Sequence, residues 1–348
     1  MRAIESLNEF KEMAQRTFQN NQESLDTDGV LKNPHLKAYL LESNHKDISD
    51  ASSCPLGQWK ALEDSRGWFT NIDTDNPYSF FIDTTDDRVW RLYSFLDVKR
   101  SDVLVNEWIT HCRGMDYCWL SREQLLHWNG QDNWEERGIG IRYADGLAPA
   151  DTAGNFSLKA WHGAGRHIEG LNELLEKAKE TFAIHSIRWQ KKSGNDAAII
   201  TEWYSNGKVT ISKGNDIDEV LATVSEMAIR YKGSLLTAAR LRDSKMGAFE
   251  LNFTQQIDLD AFTLKVLKGV GDMRLWLVEL EHEPDFRRFK GVDLHNWDRV
   301  FLDVGIDYAY LTIPKKGCVN AAPRIAAIQG EDNSGKTQIY YDGVKIFD

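Results

Sequence analysis

Hydrophobic and polar positions recur along this chain in two periods, and the places where the period switches mark its elements. Residues 90–94 (Trp-Arg-Leu-Tyr-Ser) read as a strand, 101–113 as a helix and 117–120 as a second strand. The same order returns at 208–211, 216–231 and 234–237, and again at 249–253, 258–268 and 275–278. Leu92 to Trp119, Val209 to Leu235 and Leu251 to Leu277 lie 27, 26 and 26 residues apart, which predicts one strand–helix–strand unit used three times. The loops inside these units lack the glycines that cradle phosphates, so the units are expected to be scaffold.

Around the units the pattern predicts three regions. Residues 1–55 form a helical N-terminal appendage. Ile4, Leu7, Phe10, Met13 and Ala14 recur at helical spacing, a polar stretch follows at 19–23, and a short helical segment is expected at 35–41. Residues 56–182 form an acidic α+β domain with a hairpin from 80–82 to 89–90, a short helix at 122–128, strands at 139–143 and 156–161, and an exposed loop at 144–155. Its last element is a helix over 166–182 with Ile168, Leu171, Leu174, Leu175, Ala178 and Phe182 on one stripe. Residues 183–348 form a second α+β domain. It holds strands at 184–190 and 197–204, a turn at Asn206-Gly207, two of the strand–helix–strand units, a hairpin at 300–303 and 308–313, and a closing hairpin around Asp342-Gly343. Strands interleaved with helices, together with direct hairpins, predict two α+β domains with mixed β-sheets and helices packed mainly on one face.

Charge divides the chain unevenly. Residues 1–182 carry 20 Lys and Arg against 30 Asp and Glu, whereas residues 183–348 carry 22 against 23. Phosphate contacts need clustered cations, so a nucleic acid is expected to approach only the second domain. No apolar run reaches the ~18 residues of a membrane span, and the N-terminal residues lack the apolar core of a signal peptide. Cys54, Cys112, Cys118 and Cys318 are too scattered for a disulfide framework, and Cys112 and Cys118 are expected to be buried. A cytoplasmic protein with no membrane partner is the expectation.

Four constellations bear chemistry. Residues 330–337 match the phosphate-binding loop pattern, with Gly335, Lys336 and Thr337 as the nucleotide-binding set. Such a loop must open a helix, whereas the residues after it read as a hairpin, so a solvated turn is expected. Gly163-Ala164-Gly165 precedes the predicted helix as a dinucleotide fingerprint does, but Ile168 stands at the third glycine, which favours a tight turn. His162 and His167 miss the spacing of a zinc helix. Glu279, Glu281 and Glu283 share one face of a strand, and Asp285, Asp293 and His295 follow. Carboxylates of this kind suit magnesium or manganese and a phosphodiester, with Arg287, Arg288 and Lys290 as the nucleic-acid contacts. The competing expectation is a charged edge strand.

Trp90, Trp108, Trp203 and Trp276 fall at core positions, while Trp128 and Trp134 flank a polar loop and are expected to anchor a protein partner. Without a complete catalytic constellation or a resident cofactor, the leading expectation is a non-catalytic protein-interaction component of a multiprotein system, a role compatible with prokaryotic defence. The alternatives are a metal-dependent nuclease using Glu279, Glu281, Asp285, Asp293 and His295, and nucleotide binding at 330–337.

Overall fold

A computed structural model of the protein describes residues 6–28, 35–51, 57–62, 66–71, 78–144, 155–161, 173, 176–179, 182–193, 196–268, 273–333 and 335–348. The fold is α+β, with two antiparallel sheets of eleven and seven strands. The sheets were expected to be mixed. Direct hairpins account for the difference, because most neighbouring strands are joined by turns too short for a parallel crossover. The chain clusters into two compact units, one of residues 1–118, 128–136 and 188–232, the other of 119–127, 137–187 and 233–348. These units interleave along the chain and do not follow the expected bounds at 55 and 182.

In the first unit, α1 (Leu7–Asp28) runs on through the polar stretch that was expected to end it. Phe10, Ala14 and Phe18 recur every four residues and are buried, with Phe10 stacked on Phe81 at 4.3 Å. Next comes β1 (Leu36–Ser43), all eight residues of which are buried. It was expected to be helical. A short apolar run with no alternation fits either element, and here it is a strand paired on both sides. The unit continues with β2 (Gln58–Ala61), β3 (Arg66–Asn71), β4 (Tyr78–Asp83) and β5 (Val89–Ser94), then α2 (Val98–His111) and β6 (Met115–Tyr117). The β4–β5 hairpin is as expected, and so is the order of the first strand–helix–strand unit, but its last strand lies at 115–117 where 117–120 was expected. The side chain of Asp97 caps α2 by accepting from Arg100 N at 3.0 Å.

Strands β9 (Ile184–Ser193), β10 (Asp196–Tyr204) and β11 (Lys208–Gly214) extend this sheet. Between β6 and β9 in sequence lie α3 (Arg122–Leu125) and the hairpin of β7 (Trp134–Ala144) and β8 (Asn155–Trp161). With β7 and β8 the sheet has the order β2-β3-β4-β5-β1-β11-β10-β9-β7-β8, and β6 also pairs with β1. Gly207 turns the β10–β11 hairpin at φ 74°, where a side chain would meet Cys118 O at 2.6 Å. The helix α4 (Ile217–Ser244) then overturns the second strand–helix–strand unit, because residues 234–237 are helical. Val220, Val224, Met227, Tyr231, Leu235 and Ala238 keep one buried stripe across Gly233, so the apolar phase carries the helix past its expected stop. Most of the helix expected at 166–182, the loop at 144–155, His162, His167 and Gly163-Ala164-Gly165 lie outside the described residues.

The second unit holds β12 (Phe249–Phe253), α5 (Leu259–Lys268), β13 (Leu275–Glu283), β14 (Phe286–Asp293), β15 (Asp298–Gly305), β16 (Tyr308–Thr312), α6 (Ala321–Asn333), β17 (Thr337–Tyr341) and β18 (Val344–Ile346). Its sheet has the order β13-β14-β15-β16-β12-β17-β18. Burial alternates strictly on its central strands, as in β12 and β16, so one face is core and the other is open. Leu275, Leu277, Phe289, Val300, Leu302 and Leu311 face the core, where α5 packs on β13 and α6 on β17. The closing hairpin turns as expected on Asp342 and Gly343, both at positive φ. No helix among the described residues is long and apolar enough to cross a membrane.

Candidate functional site

The acidic residues proposed for a metal centre do not converge. The β13–β14 hairpin places Glu283 opposite Phe286 at one end and Leu275 opposite Asp293 at the other. Asp285 and Asp293 are therefore roughly 26 Å apart along one strand. A bulge between Glu279 and Glu281 also breaks the alternation that was to align them. Glu281 accepts from Arg288 Nη1 at 2.7 Å, and Arg288 bonds Asp303 at 3.0 Å, an acceptor that raises its pKa further. Glu279 lies 2.8 Å from His282 Nδ1 and 3.4 Å from Arg287 Nε. At the far end, Asp293 is buried against Arg324 and accepts from His295 N at 3.1 Å. These are ion pairs that hold a hairpin and a helix, not the ligands of one ion.

Two further expectations are corrected. Residues 330–333 form the last turn of α6 where a solvated turn was expected, and Gly335, Lys336 and Thr337 lead into β17, so the segment does not open a helix. Lys336 N donates to Thr254 Oγ1 at 2.8 Å, which ties the segment to β12. Trp128 is fully buried, stacked on Trp134 at 4.8 Å and packed on Trp203 at 5.0 Å. The polar loop between them hides a tryptophan core. Arg287 is buried on Asp260 and Glu279, which removes it from any partner surface.

The residues that remain available lie on the open face of the second sheet. Strand register builds this face in rows. Trp276, Val292 and Arg299 make one row, and Val278, Lys290, Phe301 and Thr312 the next. Trp276 was expected in the core but is 58% exposed, because Leu275 and Leu277 turn inward and alternation forces Trp276 and Val278 out. Phe301 is 48% exposed. Trp297, in the turn between β14 and β15 at the same end, is 55% exposed and held at φ 62°. A bulky residue in that region is strained, by ~1 kcal/mol or more. Lys290 and Arg299 are exposed and meet no carboxylate among the described residues. Neither row carries an acid; Glu281, Asp303 and Glu250 stand in the next row, beside Arg288 and Tyr310.

The first unit has its own group of perturbed side chains. Lys37 is fully buried in β1 and donates to His35 O at 2.8 Å and to Leu96 O. Burial, with Lys208 adding to it, lowers its pKa to about 8, against the pull of Asp102 and Asp97. Lys208 pairs with Asp102 at 2.5 Å, and Tyr39 OH donates to Asp102 at 2.7 Å. Burial lowers the pKa of His35, with Lys37 and Arg188 adding to it, and burial raises that of Tyr39. A cavity of about 220 Å³ elsewhere in the unit is lined by Lys11, Arg66, Asp83, Arg91 and Asp218, with Lys11 on Asp218 and both arginines on Asp83.

The lysine group sets a pH dependence whose sign follows from linkage. Between pH about 8 and 10.5 the unfolded state holds the Lys37 proton and the folded state does not, so stability rises with pH across that window. The rise is about 3 kcal/mol at most. Urea midpoints compared at pH 8 and pH 10.5 are expected to show Lys37→Met without this increment; an unchanged slope would place the titration elsewhere.

An α+β chain with paired internal charges and one open aromatic, basic sheet face is the class of protein that these features define. It belongs to the MJECL33-like protein family, whose model matches residues 1–331. A protein of Methanocaldococcus jannaschii with the name "Uncharacterized protein MJECL33" is 24% identical over 341 residues, spanning 83% of this chain and 82% of that protein.

Proposed function

We propose that this protein is a non-catalytic binding component of a multiprotein system, and that it engages its partner through the open face of the seven-stranded sheet. The observation that carries this is the exposure of Trp276, Val278 and Phe301 on adjoining rows of a rigid sheet. Contiguous apolar surface rimmed by polar groups marks interaction sites, and aromatic side chains are the usual anchors of such surfaces. Dispersal of the acidic residues into local ion pairs removes the support for a nuclease, and the helix-to-strand setting of residues 330–337 removes that for a nucleotide site.

Native protein recovered gently from its host is expected to carry a stoichiometric partner. Trp276→Asp combined with Phe301→Asp is expected to release it while leaving the circular dichroism melt intact, since both side chains point away from the core. Recovery of the chain alone, or a partner retained by the double variant, would count against this function.

A further inference from the structure

We infer that the ligand of this face is a single-stranded nucleic acid, held at the end of the sheet where β13 begins and the β14–β15 turn lies. This rests on the sheet face being the binding surface.

Single strands are bound by combining cations that track the phosphates with aromatic rings on which bases stack. Both components occur here on one end of one sheet. Trp276 and Phe301 project from strands two apart and, by strand spacing, stand roughly 12 Å from each other. Lys290 sits between them in register, with Val278 on one side and Phe301 on the other, and Arg299 stands in the row of Trp276. Trp297 adds a third exposed ring in the adjoining turn, and Lys315 and Lys316 are exposed just beyond β16. Asp243 lies against this last pair, accepting from Lys316 N. The two rows themselves carry cations and rings without a carboxylate, whereas in the next row of the face Asp303 and Glu281 already neutralise Arg288.

The complementarity favours a polyanion with π-faces over a protein surface. An apolar protein partner has no use for two unpaired cations set among the rings, since desolvating an unpaired charge is costly. A phosphodiester strand meets both features at once. A duplex keeps its bases stacked inside and presents no rings to Trp276 or Phe301, so it is the weaker ligand.

The test is fluorescence anisotropy of labelled rU12 and dT12 on the full chain, with a duplex of equal length and inorganic polyphosphate as competitors. Binding of at least one single strand is expected, tighter than to duplex. Trp276→Ala and Phe301→Ala are each expected to weaken it about tenfold. Tighter rU12 assigns the site to RNA, and equal or tighter dT12 assigns it to single-stranded DNA. Four phosphate contacts give a log–log salt slope of about −3, which Lys290→Gln with Arg299→Gln reduces by about 1.4. Arg288→Gln with Asp303→Asn, which removes one charge of each sign from the neutralised next row, is expected to leave affinity within twofold. Absence of binding at 50 mM salt overturns the inference, as does competition by polyphosphate equal to that of rU12 with no effect of the aromatic substitutions. If neither strand binds while Trp276→Asp with Phe301→Asp still releases a protein partner, the binding-component function stands and the nucleic acid falls. If strands bind and the aromatic variants do not matter, the sheet face itself is ruled out.

Discussion

Trp128→Ala is expected to lower the unfolding free energy by about 3–5 kcal/mol, the usual cost of emptying a fully buried tryptophan site. Trp128 is packed on Trp134, Trp203 and Trp189 at ring-centroid distances of 4.8, 5.0 and 6.3 Å, so its removal opens a cavity that three other large rings cannot easily collapse to fill. Urea unfolding followed by tryptophan fluorescence measures this directly. A change below 1 kcal/mol would mean that the ring sits at a surface after all. Trp276→Ala supplies the contrast, because a residue already in water leaves no void and should shift the midpoint little.

Asp293→Ala is expected to cost a similar amount, about 3–5 kcal/mol, by a different mechanism. It strips the carboxylate from Arg324, which is fully buried in α6, and leaves a cation with no route to solvent. Asp293→Leu combined with Arg324→Met is expected to recover most of the loss, since an apolar pair of similar volume carries no desolvation penalty. Glu281→Ala, which breaks only a solvent-exposed pair with Arg288, is expected to change stability by less than 1 kcal/mol. Equal effects of Asp293→Ala and Glu281→Ala would overturn this account of the acidic residues.

What was legible in the sequence divides by how local the information is. The hairpins at Asn206-Gly207 and Asp342-Gly343 were readable because turn chemistry sits in two adjacent residues. The first and third strand–helix–strand units were readable because burial alternates or repeats within each element. By contrast, β1 is buried throughout, and a run of that kind has no period to betray its type. The helix expected to end at Tyr231 runs on to Ser244, because the apolar stripe of α4 continues through Leu235 and Ala238. The helix α6 went unseen, since Pro323 and Gly330 within it are poor helix formers and its buried face is built from small residues such as Ala321, Ala322 and Ala326.

The site was harder still. Five acidic and histidine residues close in sequence proved to be spread over a hairpin, because proximity along two antiparallel strands depends on distance from the turn. The face that stands open draws Trp276, Lys290, Arg299 and Phe301 from three strands, and only register brings them together. The signal was present in one place: in Leu275-Trp276-Leu277-Val278, a run of four apolar residues in a half-buried strand must present two of them outward.

The bulge between Glu279 and Glu281 has a consequence for how two copies of this strand can meet. Among the described residues strand β13 is the last in its sheet, nine residues long, and presents Trp276, Val278 and Leu280 to solvent. A straight strand of that composition would be a template for stacking one molecule against another into fibres. The extra residue bends the strand and tightens its twist, so two copies cannot lie flush along their lengths. One irregularity in the ladder thus works against flush pairing of two such borders.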